Sequence, residues 1–164
     1  MMIRDFLRHR LVRFEMLLHR PAPSAARMAE TVHVSGRRVA KGVLVQSGTA
    51  YLLAVLPSTH RIELDRLATI LGVKELRIAT EAEVMKIFND CERGALPPFG
   101  RLYGLTTIVD SSLAAGAEIV FVANSRHEGV RMRFRDYEAI ETPMRGRFAS
   151  MISPRRRTTQ RRAG

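Results

Sequence analysis

Tryptophan is absent from this chain, and Cys91 is its single cysteine. One cysteine excludes an internal disulfide and any zinc site built from several thiolates, which suits a reducing cytoplasm. Aromatic residues make up 6% of the 164 residues, while apolar residues make up 46%, so the core has to be mainly aliphatic. No apolar run nears the roughly 18 residues a membrane helix requires, and no membrane partner is expected. The N-terminus interleaves charged and apolar residues and lacks the continuous apolar stretch of a secretory signal. Asp5 and Glu15 argue against an Arg-rich organellar presequence. The expected location is cytoplasmic. Also missing are a Ser-His-Asp order, zinc-ligand spacing and paired carboxylates, so no metal is expected.

Acids are scarce too: 16 against 27 basic residues, a formal charge of +11. From Thr142 to Gly164 there are seven arginines and no acid. Together these predict one domain over residues 1–141 and a basic, disordered tail over 142–164. The tail reads as a phosphate-seeking arm or as a solubilising end. A body that also leans basic favours an anionic partner.

The chain alternates helical and strand patterns. Apolar residues at 3, 6, 7, 11, 14, 17 and 18 fit a helix over 2–18, broken by Pro21 and Pro23. Ser24 can cap a helix to about Thr31. Residues 39–46 and 50–56 read as a hairpin turning at Ser47-Gly48-Thr49, and 63–71 as a helix stopped by Gly72. A short strand is expected at 76–79. Thr80 and Glu83 form a capping-box pattern. Strands follow near 102–109, 117–123 and 129–134, then a helix capped by Asp136. This order predicts an α/β protein of the α+β type with a mixed or antiparallel sheet.

Three features invite a functional reading. Gly94-Ala-Leu-Pro-Pro-Phe-Gly100 is stiff, with two fixed φ angles bracketed by glycines; it is a preformed wall beside bare amides, or a rigid connection. Lys41 is one of only three lysines. Strand alternation puts it on the face of Val39, Val43 and Val45. There it either meets an anion or guards a sheet edge. Asn124, Ser125, Arg126 and His127 could aim donors at a ligand from one turn, or form an ordinary hairpin loop. His19 follows an apolar run and could join them, or merely compensate a helix dipole. Cys91 beside Glu92 is a poor nucleophile, since a neighbouring carboxylate raises a thiol pKa.

The succession of these pieces resembles the YbaK/prolyl-tRNA-editing family of aminoacyl-tRNA deacylases over roughly residues 10–141. The resemblance rests on the strand lysine in Val39-Ala40-Lys41-Gly42-Val43, the G-x-x-x-P loop ending in Phe99-Gly100, and Asp110-Ser-Ser-Leu113. It implies a mixed, barrel-like β-sheet surrounded by helices and hydrolysis of a wrong amino acid from the terminal adenosine of tRNA. It implies no cofactor, and it admits an aminoacyl-tRNA synthetase as second partner. Lys41 and Gly94 match the positions that carry the chemistry. Pro98, Phe99, Gly100, Asn124, Ser125, His127 and His19 are the expected substrate-binding residues. Asn124 stands where the family commonly has glycine, and either Arg126 or His127 fills the position of its histidine. A non-catalytic tRNA- or nucleotide-binding module, and a hydrolase of small aminoacyl esters, are the alternatives.

Overall fold

The structure, a computed structural model, describes residues 1–153. Helix α1 (Ile3–His9) drives Ile3 and Leu7 into the interior. The helix expected to reach residue 18 ends early. Leu11 takes a positive φ of 54°, and the chain continues as strand β1 (Phe14–Leu18). Val12, Phe14 and Met16 alternate with exposed Leu11, Arg13 and Glu15, a two-residue period that the same apolar spacings had concealed.

Helix α2 (Ala25–Thr31) opens where the Ser24 hydroxyl accepts from the Arg27 N–H. Strands β2 (Ala40–Ser47) and β3 (Ala50–Pro57) form the expected hairpin, with Gly48 at φ 59°. Strand β4 (His60–Ile62), helix α3 (Leu64–Leu71) and strand β5 (Arg77–Ile78) follow. Helix α4 (Glu81–Ile87) carries the full Thr80–Glu83 capping box. A 3-10 turn at Gly100–Tyr103 leads to β6 (Thr106–Asp110), α5 (Ser111–Ala114), β7 (Glu118–Val122), β8 (Glu128–Arg133) and α6 (Phe134–Glu141). Asp136 lies in the first turn of α6 instead of capping it.

The folded body passes the boundary expected at residue 142. Strand β9 (Met144–Gly146) pairs with β6, β10 (Ala149–Met151) pairs with β4, and Phe148 is fully buried. Both Phe148 and Ala149 donate their N–H groups to the Asp110 carboxylate at 3.0 Å. The arginine-rich stretch from residue 154 lies outside the described residues.

Two sheets make the frame. One has the order β1-β8-β7, all antiparallel; the other has β5-β2-β3-β6-β9, with β3-β6 and β6-β9 parallel. They meet where Val39 bridges Val120 in parallel and the Val120 N–H donates to the Arg38 carbonyl. The result curls like a barrel, but β1 and β9 do not pair. Alternation then sorts the core. Ala40, Leu44, Leu53, Val55, Val109, Ile119 and Phe121 point to a central cluster. On the outer surface, Val39, Val120 and Val122 pack under α2 with Met28, Ala29 and Ala95. Further along that surface, Val45, Ala54, Leu56 and Ile108 pack against Leu67 of α3 and Phe148.

Candidate active site

Lys41 lies between these two outer clusters. It is two residues from Val39 in one and two from Val43, which packs against the other, on the shared face of β2. Leu56 stands directly across on β3. Lys41 is half-buried and makes no ion pair or hydrogen bond among the described residues. Burial lowers its pKa from the ordinary 10.5, because the ammonium loses hydration without gaining an anion. Its positive charge, with that of Arg37, helps to lower the pKa of His60, though burial is the larger cause. His60 had no assignable role in the sequence; only the turn after β3 brings it near.

The loop at 94–100 is split by the fold. Ala95 belongs to the cluster under α2 that also holds Val39; Gly94 adjoins the first in sequence and Lys41 shares a strand face with the second. Gly94 is exposed, with φ 75°, and a Cβ there would stand 2.8 Å from the Pro23 carbonyl oxygen. Glycine is therefore required by the chain's own close approach as well as by its left-handed φ. Pro98, Phe99 and Gly100 are buried and turn the other way. The Phe99 ring has no exposed surface and meets Phe6, Phe121 and Tyr137 edge-on at 5.8, 5.5 and 5.2 Å between centroids. The Tyr137 hydroxyl donates to the Pro98 carbonyl at 2.9 Å. A Cβ on Gly100 would collide with the Thr107 hydroxyl. These three residues, expected to bind substrate, lie at the central core, which the run of apolar groups helps to close.

A third set converges on Gly94. Residues 19–22 run alongside 126–127, with the His19 N–H donating to the His127 carbonyl at 2.9 Å and the Ala22 N–H to the Arg126 carbonyl at 2.8 Å. Three buried polar atoms on these segments have no hydrogen-bond partner among the described residues: His19 Nε2, Ser125 Oγ and Arg126 Nε. Buried polar groups are nearly always paired, so three orphans on adjoining segments mark a place for a polar ligand or water. His19 Nδ1 lies 2.7 Å from the Arg20 carbonyl. A carbonyl only accepts, so Nδ1 carries a proton, and in that neutral tautomer Nε2 is the accepting nitrogen. Arg126 is half-buried while His127 is exposed. Of the two, Arg126 is the more buried, and the His127 carbonyl accepts from the His19 N–H.

Asn124 is buried and serves the frame. At φ 67°, its Oδ1 accepts from the Ile3 N–H at 2.9 Å, and its Nδ2 donates to the Tyr103 hydroxyl and Cys91 Sγ. Its side chain ties α1 to the site loop. Asn124→Gly keeps the backbone conformation but strands these partners. Loss of about 1–3 kcal/mol is expected by chemical denaturation, and an unchanged midpoint would refute the tie. Burial pushes the Cys91 thiol up to about 11, leaving almost no thiolate near neutral pH.

Comparison with known proteins fits this geometry. A model of the aminoacyl-tRNA editing domain matches residues 19–140. The chain belongs to the aminoacyl-tRNA editing domain family. Among curated relatives, proline–tRNA ligase of Xanthomonas axonopodis pv. citri is 27% identical over 97 residues, 59% of this chain and 17% of that protein. Proline–tRNA ligase of Thiobacillus denitrificans is 32% identical over 88 residues, 53% of this chain and 15% of that protein. The matched region is therefore a small part of those enzymes. A crystal structure described as a candidate trans-editing enzyme for prolyl tRNA synthetase covers 90% of this chain and 94% of its own, with 19% identity and a TM-score of 0.77. A hypothetical protein of known structure reaches a TM-score of 0.82 at 17% identity, over 90% of this chain and 99% of its own. This editing domain accordingly has the mixed α+β fold implied by the resemblance. No helix among the described residues is long and apolar enough to cross a membrane.

Proposed function

We propose that this editing domain acts in trans as a deacylase, hydrolysing the ester that joins a wrong amino acid to the terminal adenosine of tRNA. The observation that carries this reading is the set of unsatisfied groups on one outer surface. The unpaired ammonium of Lys41 lies on the strand face that packs against Ala95, next to Gly94. The orphaned His19 Nε2, Ser125 Oγ and Arg126 Nε lie on the segments that meet at Pro23 and Gly94.

In this reading, Lys41 holds the terminal phosphate or ribose through a charge-assisted contact. His19 Nε2 accepts a hydrogen bond from the attacking water and draws off its proton as the C–O bond to carbon forms. The ester carbonyl becomes a tetrahedral oxyanion, which Arg126 and the backbone near Gly94 stabilise. A guanidinium suits that role, since it always donates and never serves as base. Collapse then breaks the bond to the ribose oxygen, which takes up the proton and leaves as the free hydroxyl of tRNA. Removing one comparable donor elsewhere lowers rates on the order of 10²–10³-fold. A synthetase remains a second partner that could deliver the substrate.

The test is a panel of tRNAs mischarged with Ala, Cys, Ser, Thr or Pro, followed by release of free amino acid. Release from at least one is expected. Binding of every charged tRNA with no release from any would overturn the deacylase reading. It would favour the non-catalytic binding module, which the Asn124 and Arg126 departures from the family pattern motivate.

A further inference from the structure

The last described residues lie at a basic corner of the body. Strand β10 pairs with β4, setting Met151 opposite His60, and the Ile152 N–H donates to the Thr59 carbonyl at 2.9 Å. Beside this point the Arg37 guanidinium donates to Met151 Sδ at 3.5 Å. Arg37, Arg38, His60 and Met151 wall a hollow of about 560 Å³, in which Glu118 is the one acid. Arg37 and Arg38 are exposed and have no carboxylate partner among the described residues. Burial is the main cause of the lowered His60 pKa, and the charges of Arg37 and Lys41 add to it. His60 therefore connects this corner to the neighbourhood of Lys41.

The sequence that follows adds charge of one sign. Residues 155–162 hold arginines at 155, 156, 157, 161 and 162, with no acid, no lysine and no apolar or aromatic residue. Without aromatics, nothing there stacks on a base. Without apolar side chains, nothing there fills a hydrophobic groove or sinks into a lipid interface. What remains is a row of guanidinium forks, which match phosphate oxygens in pairs and hold a backbone without reading its sequence. A double helix carries about one phosphate per 1.7 Å of its axis, roughly twice the density of one strand. An arm with charge and no stacking groups therefore gains most on a duplex. Arg162 is nine residues from Ser153, a reach of at most about 32 Å, which passes more phosphates than five arginines need.

We propose that Arg37, Arg38 and the five arginines of residues 155–162 form one phosphate-binding arm that grips the double-helical part of tRNA without reading its sequence. The inference rests on the deacylase reading, which gives the acylated end of the same molecule to Lys41.

The experiment measures binding of two fluorescein-labelled RNAs over a salt series: a hairpin microhelix with a 3′ CCA end, and a single strand with the same end. Wild type is compared with two full-length variants. One carries Arg155→Gln, Arg156→Gln, Arg157→Gln, Arg161→Gln and Arg162→Gln; the other is Arg37→Ala/Arg38→Ala. Thermal melting verifies that each keeps the fold. For the microhelix, the first variant is expected to lose at least about 10-fold in affinity, and its slope of log K against log salt to shrink by about 4.5, at about 0.9 per duplex phosphate contact. The second should lose about 1.8 of slope on the same count. The single strand should lose much less with both. Unchanged affinity and slope for the microhelix would overturn the proposal. So would equal losses for the two RNAs, which would put the arm on unpaired RNA. Polyaspartate that displaces the microhelix as well as unlabelled duplex RNA does, at equal charge concentration, would also overturn it and assign the arm to acidic protein. None of these measurements needs hydrolysis, so failure of the mischarged-tRNA panel sinks the deacylase reading separately.

Discussion

Lys41→Met is expected to lower deacylation of a mischarged tRNA by at least about 10²-fold, while the melting temperature stays level or rises. The two readouts move in opposite directions because of where the lysine lies. Its stem shares a face with Val43 and Leu56, and its ammonium has no ion-pair partner among the described residues. The folded pKa lies below the ordinary 10.5. Below that folded pKa the group is charged in both the folded and unfolded chains, so the folded state bears the whole desolvation penalty. That penalty is present in full below the folded pKa and is relieved as pH rises through it toward 10.5. Methionine fills similar volume with no charge, so its gain in stability is largest below the folded pKa of Lys41 and shrinks as pH rises toward 10.5. Activity should be lost throughout. A variant that melts well below wild type would mean that Lys41 is paired inside the protein, and its role as an anchor for an outside anion would fail. Retained activity on folded protein would do the same.

Gly94→Ala is less discriminating, for a reason visible only in three dimensions. The methyl group would meet the Pro23 carbonyl at 2.8 Å in a backbone conformation that already disfavours side chains. A loss of activity would follow whether or not substrate approaches that glycine. Lys41, exposed to no such ambiguity, is the better probe.

Much of this was legible in the sequence because the signals were local. Alternation placed Lys41 beside Val43 and Val45, Ser24 and Thr80 marked helix starts, and Gly72 marked a stop, all decided within a few residues. Errors arose where distant chain decides. Apolar residues at 14, 17 and 18 fit a helix or a strand equally, and pairing with β8 settles the matter. Nothing near residue 148 announces that Asp110 will take two amides from it, so the body continues beyond the expected boundary. Asn124 and Arg126 are adjacent enough to seem alike in a polar loop. The structure spends one on α1 and leaves the other with a free donor. The candidate residues on the outer surface came from motif order and strand alternation. Their separation from the buried half of the same loop was not.

That separation makes the second large prediction. Phe99→Ala is expected to destabilise the protein by about 3–5 kcal/mol, a drop in melting temperature on the order of 10 °C. Its ring joins α1 through Phe6, β7 through Phe121 and α6 through Tyr137. Truncation opens a cavity bounded by three elements that cannot all close on it. For domains whose total stability is about 5–15 kcal/mol, this is a large fraction. At a temperature where the variant is still folded, its KM for charged tRNA should match wild type, because the ring is sealed from the outer surface carrying Lys41 and Gly94. Had Phe99 lined the aminoacyl pocket, truncation would instead change KM or the choice of amino acid with little effect on melting. A normal melting curve with altered selectivity would therefore return the whole 94–100 loop to the substrate side and require a different face for the site.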